Sequence, residues 1–297
     1  MRVLISALVV AWALTACGAA PAAQAPAPRQ GAALWHLHDS DSDIWLFGAA
    51  HELPEGVQWR GTDVEAAFQA ADEIVTETDT SEPAVAEYQR LATALGMLPA
   101  GRTLFDNMAA DDRARLDRVA RASNLQPEQF TQVRPWLAAL QLSAAYEATR
   151  GQTRENGVES VLIEDAHETQ KRRSFLETPA EQVHFLADLS PADEMRFLNT
   201  TLRQIEAESR APAALEQTWA RGETEALGAQ LDAEMRAAGP AVYAALITNR
   251  NRRWADEVQR RLDGSGKVFI AVGAAHLIGD GSVVDLLRER GVTVDGP

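Results

Sequence analysis

Ile44-Trp45-Leu46-Phe47-Gly48-Ala49-Ala50-His51 and Phe269-Ile270-Ala271-Val272-Gly273-Ala274-Ala275-His276 follow one pattern near opposite ends of the chain. Each is an apolar run, a glycine, two alanines and a histidine. The run has the length and apolar content of a buried strand. The glycine lets the chain turn or another group approach closely, and the histidine is then delivered just past the strand's carboxyl end. In open α/β sheets that edge is where ligands bind.

Residues 34–38 and 44–47 flank Asp39-Ser40-Asp41-Ser42-Asp43, which reads as a hairpin. Residues 63–71 have helical spacing and lead into a third strand at 73–78. A fourth strand is expected at 267–272, followed by a helix over 281–290. Residues 83–262 are rich in Ala, Leu, Glu and Arg at helical spacing and read as an all-helical insertion. Strand-rich ends around a helical middle predict an α/β or α+β fold whose central sheet is built from N- and C-terminal segments.

Of the six histidines, His51 and His276 stand at strand ends, whereas His36, His38, His167 and His184 read as structural or surface residues. Glu77 ends the third strand, and a shared sheet would bring its carboxylate near both histidines. A buried carboxylate is costly unless paired, hydrogen-bonded or metal-bound. An exposed acid on an edge strand is the competing reading. A long helix over 240–262 carries an apolar stripe of Val242, Leu246, Trp254, Val258 and Leu262 that Arg250 interrupts. An inward-facing guanidinium there would hold a carboxylate, Glu77 or Glu177, or a developing oxyanion, with Asn251 beside it as a second donor.

The chain begins Met1-Arg2, followed by an apolar run over 3–14 and then Thr15-Ala16-Cys17, the order of a secretory signal. Leu14-Thr15-Ala16-Cys17 resembles the lipobox of bacterial lipoproteins, in which the cysteine is lipidated and becomes the new N-terminus. Cys17 is the only cysteine, so no internal disulfide is available to the core. Residues 1–16 are therefore expected to be a signal peptide and 17–33 a lipidated cysteine with an Ala/Pro-rich tether. Residues 34–297 read as one domain. The expected address is the periplasmic face of the outer membrane, with the bacterial membrane as partner through the lipid anchor. A net charge of −15 argues against nucleic acid as a partner. HExxH, CxxC, GxSxG and phosphate-loop signatures are absent.

These residues resemble the TraB/GumN/PrgY group, which includes the animal Tiki proteins. The matching features are Leu34-Trp35, Gly48 to His51, Ala71-Asp72-Glu73 to Glu77, Arg134-Pro135-Trp136 and Gly157-Val158-Glu159, then Leu176-Glu177-Thr178, Arg250-Asn251 and Val272 to Leu277. They run in the family's order across nearly all of the chain beyond the tether. The resemblance implies an erythromycin-esterase-like fold, paired Gly-x-x-His motifs and an acidic site residue, carried here by His51, His276 and Glu77. Ala49 departs from the threonine common in the first motif, and Arg173-Ser174-Phe175 replaces the usual Lys-Pro-Val.

Three functions follow as expectations. The first is a metal-dependent hydrolase of peptides, in which His51, Glu77 and His276 hold a divalent metal ion and Arg250 stabilises the oxyanion. The second drops the metal and uses His51 or His276 as general base, oriented by Glu77. The third is a tethered protein that binds a peptide or envelope component without turnover.

Overall fold

The computed structural model describes residues 31–210 and 215–297. Residues 1–30, which hold the expected signal peptide, Cys17 and most of the expected tether, lie outside the described residues. Among the described residues no helix is long and apolar enough to cross a membrane.

Five strands form one sheet in the order β1-β2-β5-β3-β4. They are β1 (Leu34–His38), β2 (Ser42–Ala49), β3 (Glu73–Thr78), β4 (Arg172–Glu177) and β5 (Gly266–Gly273). β1 and β2 make the expected antiparallel hairpin, and β2, β5, β3 and β4 pair in parallel. The mixed α/β class expected from the strand-rich ends is what the chain adopts.

Parallel strands are covered by helices on both faces and read as near-continuous apolar runs, and β5 is buried from Val268 through Gly273. One face carries Phe47, Ile74 and Phe269, packed on Phe68 of the helix Thr62–Ala70 and Leu162 of the helix Val158–Glu168. The other carries Leu46, Val75 and Ile270, packed on Trp254 and Val258 of the helix Asn249–Leu262 and Leu287 of Val283–Glu289. Each fully buried side chain of this size contributes roughly 1.5–3 kcal/mol. A separate helical core joins Leu116, Leu142 and Leu198 from the helices Ala110–Ala122, Pro135–Thr149 and Pro191–Arg210.

The structure corrects three expectations. The insertion over 83–262 is not wholly helical, because β4 lies within it and pairs with β3. Its polar half, Arg172 and Arg173, is exposed at the sheet edge and carries no apolar alternation. The helix over 240–262 is interrupted by a π turn at Ala244–Thr248. That extra residue puts Ile247, rather than Leu246, on the buried face, five residues after the buried Val242. Finally, Ala32 and Ala33, assigned to the tether, are buried, and the Ala32 N–H donates to the Trp59 carbonyl.

Candidate functional site

The register sets Gly48 beside Val272 and Ala49 beside Gly273. The two Gly-Ala-Ala-His runs thus lie side by side, one residue out of step. Thr76 pairs with Ala271 and Thr78 with Glu177, so Glu77 and Glu177 reach the same carboxyl edge. The π turn immediately before Asn249 brings Arg250 and Asn251 in from the neighbouring helix, 8% and 1% exposed. Such turns recur at functional sites.

Arg250 is the hub. Its Nε and Nη2 donate to the two oxygens of Glu177, each at 2.8 Å, and Nη2 also donates to Glu77 Oε2 at 2.5 Å. Nη1 donates to the Leu246 carbonyl at 3.3 Å and faces His276 Nε2 at 3.1 Å. A guanidinium has five N–H donors, and these contacts use all of them. The ring faces of Trp254 and Phe185 lie 4.6 and 5.3 Å from its charge centre. On the far side of His276, Nδ1 is 2.6 Å from Asn251 Oδ1, and Asn251 Nδ2 donates to the Gly281 carbonyl at 2.9 Å.

His51 is placed differently. Its side chain is 54% exposed, with Nδ1 at 2.7 Å from Glu159 Oε1 and Nε2 at 3.7 Å from Glu77 Oε1. Glu159 sits in the first turn of the helix Val158–Glu168, where the helix dipole favours an acid. Gly157 caps that helix, and the Val158 N–H donates to the Ala50 carbonyl, which brings the helix end against the His51 turn. Glu77 Oε1 accepts the Gly273 N–H at 2.7 Å. A Cβ at Gly273 would lie 2.9 Å from His51 Nε2 and 3.2 Å from Glu77 Oε1, so only a glycine lets the strand end approach both groups this closely. Trp219 supports the turn from below by donating its indole N–H to the Gly48 carbonyl at 2.6 Å.

Charge follows position. The Glu159 carboxylate, then Glu77, holds the His51 imidazolium so that its pKa is raised to about 9, against burial. Burial alone would raise the Glu77 pKa, but the Arg250 guanidinium and the Gly273 N–H carry it well below the usual carboxylate range. Burial, with Arg250, lowers the His276 pKa to about 3, so this ring is neutral. Burial raises the Glu177 pKa even though Arg250 grips it with two bonds. At the rim, burial and then Glu52 push Glu147 up to about 8.

The profile of the TraB/PrgY/gumN family matches residues 33–296. The chain belongs to this family. Among curated proteins, the TraB/PrgY/gumN chain is 24% identical to "Uncharacterized protein YbaP" of Escherichia coli (strain K12) over 218 residues, covering 73% of this chain and 77% of YbaP. The YbaP of Shigella flexneri matches equally, at 24% over 218 residues. No solved structure matches the chain.

Within this family framework, the structure brings His51, Glu77, His276, Arg250 and Asn251 to one sheet edge but divides their work. His51, Glu77 and Glu159 each offer a ligand atom within 4.8 Å of the other two. The nitrogen and carboxylate donors suit a divalent ion, and the buried Glu159 Oε1 has His51 Nδ1, 2.7 Å away, as its polar neighbour. The residues present therefore fit a metal, with Glu159 in the place expected of His276. His276 is 4% exposed, and both of its ring nitrogens face protein partners. It has no free lone pair for an ion or for a substrate proton. Arg250, expected to meet an oxyanion, has no N–H left to give, and the Asn251 amide is spent on Gly281 and His276.

Spacing alone did not single out Glu159, although it was visible in Gly157-Val158-Glu159. Ala49, at the position where the family commonly has threonine, is 3% exposed in the apolar core.

Proposed function

We propose that the chain is a hydrolase of peptides whose reaction takes place at His51, Glu77 and Glu159. We further propose that it works at the periplasmic face of a bacterial membrane, anchored through a lipid on Cys17. The observation that carries the first proposal is the half-exposed His51 ring between two buried carboxylates, against the bare backbone of Gly273. A solvent-reachable base or acid within reach of ionised groups at the carboxyl edge of a parallel sheet is the arrangement proton transfer requires.

His51, Glu77 and Glu159 would hold a divalent ion, which would supply Lewis acidity towards a substrate carbonyl and towards water. Glu77 enters the site ionised and held in place by Arg250 and Gly273. His51 would have to give up its proton to serve as a ligand, so its binding of an ion would be linked to proton release. A second reading rests on the raised His51 pKa of about 9. Without metal the ring is an imidazolium at neutral pH, suited to giving a proton to a departing amine, while Glu159 takes one from water.

Purified protein with its metal content measured, incubated with a peptide library, tests the proposal. Cleavage by the wild type that H51A abolishes, and that chelation abolishes reversibly, supports the metal hydrolase. Full cleavage after exhaustive chelation selects the second reading. A peptide recovered intact from a saturated complex overturns hydrolysis and leaves a binding protein. For the address, C17S should leave an uncleaved or soluble form on fractionation. Unchanged membrane association, with no acyl group on the wild type by mass spectrometry, would sink it.

A further inference from the structure

We propose that Asn251 is a positioning residue that fixes the tautomer of His276 and, through His276 and Arg250, holds Glu77 in its working orientation. This deepens the hydrolase reading and rests on it for its kinetic consequence only. Donors and acceptors alternate along a buried chain of side chains from Gly281 to Arg250. The Gly281 carbonyl only accepts, so the group 2.9 Å from it must be the Asn251 NH2. That leaves Asn251 Oδ1, an acceptor, 2.6 Å from His276 Nδ1, which must carry the proton. A neutral imidazole has one N–H. His276 Nε2 is therefore a bare lone pair, and it accepts from Arg250 Nη1 at 3.1 Å.

No other proton arrangement satisfies the chain. A proton on Nε2 would set two donors head to head with Arg250, and flipping the Asn251 amide would set two oxygens against each other at Gly281. Asn251 and His276 are 1% and 4% exposed, so water cannot take over a lost partner. With Nη1 held by His276 and Leu246, and Nε by Glu177, the guanidinium plane is fixed, and Nη2 is aimed at Glu77 Oε2. The other oxygen of Glu77 is the one that faces His51 and accepts the Gly273 N–H. Outer partners of this kind affect metal affinity or activity by about 10- to 100-fold.

The experiment is long-range nitrogen–proton NMR on full-length protein labelled at histidine, combined with kinetics. The expected spectrum shows His276 neutral with its proton on Nδ1. In N251A the Nδ1-protonated signal is lost or mixed, kcat falls about 10- to 100-fold and KM changes little. N251D, which keeps an acceptor towards Nδ1 but adds a charge, should convert His276 to the doubly protonated form and lower kcat as well. H276Q, whose amide oxygen can accept from Arg250, should retain more activity than H276A. A wild-type His276 carrying its proton on Nε2, or doubly protonated at neutral pH, overturns the proposal whether or not the protein hydrolyses peptides. An altered tautomer in N251A with unchanged kcat also overturns it. Absence of peptide cleavage by the wild type counts against the hydrolase reading, while the spectrum still decides the tautomer.

Discussion

His51 and Glu159 meet because Gly157 lets a helix end reach the turn after β2. A Cβ at Gly157 would fall inside the radius of the His51 carbonyl oxygen. G157A should therefore force the helix start away from His51, with a loss of about 1–3 kcal/mol as for other overpacked sites. Chemical denaturation checks this, and a variant as stable as the wild type would contradict the tight approach.

The same pair controls a titration. His51 rises from 6.5 to about 9, first through Glu159 and then through Glu77. Because the folded value is the higher one, the pairing stabilises fully below pH 6.5 and is lost as pH rises through about 9. Half-exposure lets water screen part of this. E159Q should move the His51 midpoint down in an NMR titration of metal-free protein. An unchanged midpoint would assign the shift to another group.

His276 has the opposite sign. Its folded pKa is lowered from 6.5 to about 3, so the unfolded chain takes up a proton that the native ring refuses. Stability is complete above pH 6.5 and falls as pH drops towards 3, by up to about 1.4 kcal/mol per pH unit from this group. Between pH 6.5 and 5, above the range where ordinary carboxylates titrate, H276Q should lose most of this slope. Denaturation midpoints for the two proteins across that window provide the check, and parallel slopes would count against it.

Arg250 sits between two buried carboxylates, Glu77 and Glu177. Removing one partner of a buried pair costs about 3–5 kcal/mol because a charge is left uncompensated. R250A should show a loss of that order, and R250K a smaller one, since an ammonium keeps the charge but not the two-toothed grip. A loss below about 1 kcal/mol in R250A would mean that the carboxylates find other partners.

Much of the frame was readable in the chain itself. β2 and β5 each contain an uninterrupted apolar run, 44–47 and 268–272, followed by glycine, and Arg250 breaks an apolar stripe, so each carried a local signal. β4 did not, because an edge strand with Arg172 and Arg173 in water needs no alternation. The π turn was hidden for another reason, since inserting one residue in a helix leaves composition unchanged. The third donor was missed because Glu159 reaches His51 through a helix end that only the folded chain sets there. His276 looked equivalent to His51 because their motifs match letter for letter. What separates them lies outside the motif: Asn251 and Arg250 enclose one ring, and solvent meets the other.

On the proposed reading, His51, Glu77 and Glu159, and not His276, form the reacting and ion-holding set. Calorimetric titration of zinc into metal-stripped protein tests it most directly, using the wild type, E159A and H276Q. The expected result is one zinc per chain in the wild type, loss of binding in E159A, and one zinc still bound by H276Q, whose amide oxygen replaces the acceptor facing Arg250. A wild type that takes up no zinc, or an E159A protein that binds as tightly as the wild type while H276Q does not bind, would rule out this donor set.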